Sequence, residues 1–200
     1  MDALQTFINA SEAEFANTLK ALDRDALEKA VELIRDAQKQ HARIHITGIG
    51  KPAHIAGYIA SLMSSTGTPT YFLHGTEAVH GSCGQLVTGD VVICISNSGE
   101  TAEMKATAIA IRNNGGKLIA VTGNPKSWLS TYAEVNLHAG VTNEGGPLDR
   151  APRTSILAET WVLQALSVML QEKRAITPTE YVQRHPGGAL GQLRESEAKG

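Results

Sequence analysis

The sequence predicts an α/β fold: a parallel sheet, doubly wound with helices, behind an N-terminal helical segment. Two observations carry this. Short β-branched runs, RIHITG, TPTYFLH, VVICIS, KLIAVTG and EVNLHA, recur between stretches of helical pattern. Several of them, VVICIS above all, are apolar almost without interruption, as strands covered on both faces must be. Alternation of strand and helix at this spacing is the signature of successive βαβ units.

The elements follow in order. Residues 1–40 read as helix, with Ala26, Leu27, Ala30, Val31, Ile34 and Ala37 on one face, an amphipathic segment that packs on the domain or at a subunit interface. Strands are expected at 43–48, 68–74, 91–96, 117–123 and 134–139, and helices at 52–64 and 101–113. Gly115 and Gly116 stop one helix, while Gly67, Thr68 and Pro69 turn another into its strand. After the loop NEGGPLDRAP, a helix over 153–171 carries Ile156, Leu157, Trp161, Leu163, Leu166, Val168 and Leu170, apolar nearly all round and so suited to the core or an interface. The chain then runs through Pro178 and RHPGGALG to the charged tail 193–200.

The chain has 200 residues, the length of one ordinary domain, enough to bury most of its apolar surface without disulfides or a structural metal. Hydrophobic residues at 42% and charged residues at 19% describe a soluble globular protein. A formal net charge of −2 offers no field to draw nucleic acid or an anionic membrane, so any anionic ligand must be held locally. Two cysteines, Cys83 and Cys94, make no disulfide scaffold, and the acidic N-terminus lacks the pattern of a signal peptide; a cytoplasmic protein is expected. No apolar run approaches bilayer length. His74, His80 and Cys83 are the closest metal-ligand grouping, but their spacing fits no zinc pattern, and no metal is expected.

Three polar turns follow the first three strands and should share one edge of the sheet, where doubly wound folds bind ligands: GIGK (48–51), HGTEAVHGS (74–82) and SNSGET (96–101). SNSGET has two readings. Asn97 with Glu100 three residues on makes a capping box. Alternatively, its hydroxyls and the N–H groups of a helix start cradle a phosphate. Gly48, Gly50 and Ala53 match the spacing G-x-G-x-x-A, but the next strand ends in His74 rather than an acidic residue and Lys51 stands in the turn, against a dinucleotide. A nucleotide P-loop is opposed by His45 and Pro52, where a glycine and a hydroxyl are required. Phosphate without a nucleotide is the better ligand.

The motifs GIGK, STGTP (65–69), EAVHG (77–81), SNSGET, NEGGPL (143–148) and HPGGALG (185–191), in this order, resemble the sugar isomerase (SIS) domain. Within it they are similar to the arabinose 5-phosphate isomerases of bacterial lipopolysaccharide and capsule synthesis. The resemblance covers about 41–192 and implies a five-stranded αβα sandwich, a homotetramer with sites shared between subunits, and no metal or organic cofactor. It implies a phosphate cradle of Ser96, Asn97, Ser98 and Thr101, and catalytic positions at Lys51, His80, Glu100, Glu144 and His185. An aldose–ketose isomerisation needs a base between C1 and C2, donors at the neighbouring oxygens and help with ring opening. Glu144 suits the base, His185 or His80 the ring-opening and oxygen-proton partner, and Lys51 the charge that stabilises an enediolate. Each has a plainer reading: Glu100 as a cap, His80 bonded to its own turn, Lys51 and His185 as solvated loop residues.

The sequence departs from the family pattern at three places. Pro52 replaces a hydroxyl residue after Lys51, and Arg153 in APRTSILAET replaces a small polar residue; with Thr66 of STGTP these are the specificity candidates. The chain reaches Gly200 without the two CBS modules of the long family form, so a short form is expected. Another sugar phosphate, such as a hexulose 6-phosphate or a modified pentose phosphate, is the alternative substrate. A non-catalytic sugar-phosphate sensor is the alternative class, though the N-terminal segment is too short and acidic for a helix-turn-helix.

Overall fold

The computed structural model describes residues 2–197; the last three residues of the predicted tail lie outside the described residues. The N-terminal segment is two helices, α1 (Ala3–Lys20) and α2 (Arg24–Lys39). The break has a local cause: the Asp23 carboxylate accepts the Ala26 N–H at 3.0 Å and so starts a second helix. There follow β1 (Ile44–Gly48), α3 (Lys51–Ser65), β2 (Thr70–Phe72), the single turn α4 (Gly75–Ala78), β3 (Val91–Ile95), α5 (Ala102–Asn113) and β4 (Lys117–Thr122). The chain continues with α6 (Trp128–Tyr132), β5 (Val135–His138), α7 (Thr154–Arg174) and α8 (Pro178–Arg184).

The five strands form one parallel sheet in the order β2-β1-β3-β4-β5. Alternate strand residues point to opposite layers. Ile44, Ile46, Ile93, Ile95, Ile119 and Val121 pack with α2, α3 and α7, while Val92, Cys94, Leu118 and Ala120 pack with α5 and α6. The result is the expected αβα sandwich. Both cysteines are buried and free, and burial pushes the Cys94 thiol up to about 12, leaving it inert.

α7 is less uniformly apolar in its setting than its sequence suggests. Val168 is 66% exposed, whereas Ser155, Glu159 and Ser167 are buried. It packs on α1, where Phe15 meets Trp161 edge-on at 4.7 Å, and on α2 and α3. No helix among the described residues is long and apolar enough to cross a membrane.

Strand order reverses between β1 and β3, since β1 connects outward to β2 and β3 connects the other way to β4. The loops leaving these two strands therefore diverge and open a crevice at the carboxyl edge. Their register, Gly48 beside Ile95, places the GIGK and SNSGET turns next to each other. At the opposite edge Asp90 is buried and saturated, accepting the Arg43 N–H at 2.7 Å and the Val87 N–H at 2.9 Å, with His45 Nε2 at 3.1 Å.

Candidate active site

Backbone approach shapes the first turn. A Cβ at Gly48 would lie 2.6 Å from the Pro52 carbonyl carbon, so only glycine lets α3 start this close to β1. Gly50, at φ 68°, caps α3 without a side-chain bond, and Pro52 stands in the first helical turn where its missing N–H costs nothing. Lys51 begins the helix and is exposed.

The turn after β3 shows how SNSGET is used locally. The Asn97–Glu100 capping box does not form: the N-cap of α5 is Thr101, and no side chain bonds the helix start. Glu100 instead accepts the Trp128 N–H at 2.7 Å and pairs with Lys105; that pairing first, then the N–H, holds its carboxyl below the usual range. Gly99, at φ 64°, closes the turn with its N–H on Ser96 O at 3.0 Å. Ser96 and Thr101 hydroxyls sit 3.4 Å apart, and Ser98 Oγ accepts the Glu100 N–H at 3.2 Å. Hydroxyls, a tight turn and an uncapped twelve-residue helix start thus converge on one point.

Glu144 comes from the long loop between β5 and α7. Its Oε2 accepts the Arg153 N–H at 2.6 Å, the Ser155 N–H at 3.2 Å and the Thr154 hydroxyl at 3.3 Å, so it bonds the N-terminal end of α7. Burial raises its pKa, but the Ser155 side chain and these donors outweigh burial, and the net direction is downward. Glu144 is therefore ionised at neutral pH.

A cleft of about 300 Å³ collects these parts, lined by Ile49, Pro52, Ser96, Asn97, Ser98, Thr101, Glu144, Arg150, Ser155 and Glu159 among others. A neighbouring cleft, which shares Arg150 and Pro152 with it, is lined by Lys51 and Arg153. Of the predicted site residues, the four of the cradle, Glu144 and Pro52 line the main cleft, and Lys51 and Arg153 flank it.

Within one chain the others stand apart. Glu100 is turned to Trp128 and Lys105. His80 is exposed after α4, its N–H on Glu77 O at 3.0 Å. His185 stacks on Tyr181 at 4.1 Å and donates from Nδ1 to Tyr181 O at 2.8 Å. Thr66 caps the far end of α3, bonding Leu62 O at 2.9 Å, about 22 Å along the helix from Lys51. It has no part in the cleft. His74 caps α4 and Cys83 is core, and the described residues contain no group of three ligating side chains suited to a metal.

Sequence reasoning missed Glu159 and Arg150. A glutamate inside a helix otherwise rich in leucine and valine was the available signal for the first. It is 1% exposed, and burial, helped by the charge of Glu144, pushes its carboxyl up to about 8.

Fold and cleft define a doubly wound αβα domain whose hydroxyl-rich Ser96–Thr101 turn lies at the sheet's switch point. The SIS domain family model matches residues 38–169, and the chain belongs to that family. It is 40% identical over 181 residues to the arabinose 5-phosphate isomerase KdsD of Pseudomonas aeruginosa, covering 90% of this chain and 55% of that protein. It is 34% identical over 180 residues to the arabinose 5-phosphate isomerase KpsF of an Escherichia coli strain, covering 90% and 54%. The chain thus spans about half the length of these curated relatives. An E. coli protein solved in complex with arabinose 5-phosphate superimposes with a TM-score of 0.81 at 33% identity, covering 92% of this chain and 95% of that one.

Proposed function

We propose that the chain is an aldose–ketose isomerase of sugar phosphates, interconverting arabinose 5-phosphate and ribulose 5-phosphate through an enediol. The observation that carries this reading is the placement of an ionised carboxylate, Glu144, in the same cleft as the hydroxyl turn and open helix start of Ser96–Thr101. A phosphate seated on the turn anchors one end of the substrate, and the carboxylate meets the carbons that exchange a proton. The names of the relatives and the complex of the solved neighbour support the choice of sugar.

In this reading Glu144 moves the proton between C1 and C2. Lys51, beside the cleft, stabilises negative charge on the enediolate oxygens. His80 and His185, which lie outside the cleft of one chain, act from a neighbouring subunit, in ring opening and proton transfer at oxygen. Self-association, which a homotetramer requires, is supported by the apolar stripe of α1, where Leu4, Ile8, Phe15 and Leu19 stay exposed at helical spacing. Pro52 and Arg153 tune which sugar fits. The reaction is an internal proton transfer that needs no cofactor, and its place is the cytoplasmic supply of lipopolysaccharide or capsule precursors.

Glu144→Gln tests the assignment. It should bind arabinose 5-phosphate and lose exchange of the C2 proton with solvent; an unimpaired exchange rate would remove Glu144 from the base role.

A further inference from the structure

We propose that Glu159 is a substrate-contacting residue: its carboxyl, buried on α7, hydrogen-bonds a hydroxyl of the sugar phosphate held on the Ser96–Thr101 turn. Neither carboxyl oxygen has a hydrogen-bond partner among the described residues, although both are shielded from solvent. A buried polar group left unpaired is costly and calls for a partner. α7 places Glu159 one turn beyond Ser155, on the face that lines the cleft with Ser96, Thr101 and Glu144. A rotation of the Glu159 side chain towards the cleft it lines brings the shielded oxygens to a ligand hydroxyl, which supplies the missing partner.

The surroundings make the carboxyl a donor. Glu144 and Arg150 are the charged residues that share its cleft. Of the turns after β1 and β3, the residues that line this cleft are Ile49, Pro52 and uncharged polar ones; Lys51 flanks it, and Glu100 is turned to Lys105. Burial first, and Glu144 second, hold its proton on to about pH 8. A protonated Glu159 is neutral beside an anionic ligand and can donate a hydrogen bond to it, whereas ionised Glu144 can only accept. Two carboxyls driven in opposite directions by their settings are a recurring device of acid–base sites.

The inference rests on the proposed function for its ligand, so its test separates the two. Arabinose 5-phosphate and inorganic phosphate are titrated calorimetrically into wild type, Glu159→Gln and Glu159→Leu, with turnover followed in parallel. Leucine should weaken arabinose 5-phosphate at least about tenfold while inorganic phosphate stays within about twofold, because only the sugar loses a partner. Glutamine should fall between. Leucine should also melt no lower than wild type, since it relieves an unpaired buried group. Unchanged arabinose 5-phosphate affinity in Glu159→Leu, or equal loss of both ligands, would overturn the inference. Absent turnover in wild type with the affinity contrast intact would sink the isomerase reading and leave the contact standing.

Discussion

The Glu14 carboxylate of α1 accepts the Thr142 N–H at 2.9 Å, joining residues 128 positions apart and holding the loop two residues before Glu144. The same Oε1 also accepts the Thr142 hydroxyl, and Glu14 is only 3% exposed. The N-terminal helices therefore do more than cover the sheet: α1 steadies the loop that carries Glu144. Glu14→Ala strands the Thr142 donors and should cost about 1–3 kcal/mol of stability in urea unfolding. It should also reduce kcat/KM while inorganic phosphate still binds. Wild-type stability in this variant would contradict the tie.

Glu144 also acts as an anion at the start of α7, and its lowered pKa makes that contribution depend on pH. A carboxylate whose folded pKa lies below its unfolded one adds stability above the unfolded pKa and loses it as pH falls through the folded pKa. Glu144→Gln should therefore be less stable than wild type at pH 7 by about 1 kcal/mol, with the gap closing on acidification below about pH 4. A gap that persists at low pH would assign the loss to shape rather than charge.

Glu159 works in the opposite sense. Its folded pKa is raised from 4.5 to about 8, so the folded state holds the proton more tightly than the unfolded chain. The contribution is complete below the unfolded pKa and is lost progressively as pH rises to the folded one. Wild-type stability should fall between about pH 4.5 and pH 8 more steeply than that of Glu159→Gln. Parallel profiles for the two proteins would show that Glu159 does not titrate in this window.

The strands were legible in the sequence because a sheet buried on both faces demands unbroken apolar runs such as VVICI, and the edge loops followed from the parallel alternation of strand and helix. Local chemistry was harder. Asn97 and Glu100 have the right spacing for a capping box, but Glu100 finds a partner in Trp128, 28 residues away, and no local pattern announces that. The break between α1 and α2 was written in Asp23, a capping residue inside an amphipathic run. Glu159 was hidden by its neighbours: apolar residues around it describe a core helix, and only the fold shows which face meets the cleft.

Gly99 sets the geometry of the cradle. It stands at φ 64°, and a Cβ there would run into the Ser127 hydroxyl that caps α6. Gly99→Ala should lose more than about 1 kcal/mol of stability and weaken inorganic phosphate binding along with it. Full phosphate affinity in a folded Gly99→Ala protein would place the anion elsewhere.

The central claim is enediol chemistry on a five-carbon sugar phosphate, and proton NMR in D2O tests it most directly. The protein is mixed in turn with arabinose 5-phosphate, ribulose 5-phosphate and a panel of hexose and hexulose phosphates. The account predicts ribulose 5-phosphate formed from arabinose 5-phosphate, with deuterium entering at C1 of the ketose and, as the reaction approaches equilibrium, at C2 of the aldose. Binding of these sugars with neither turnover nor deuterium exchange would contradict it and make the chain a sugar-phosphate sensor.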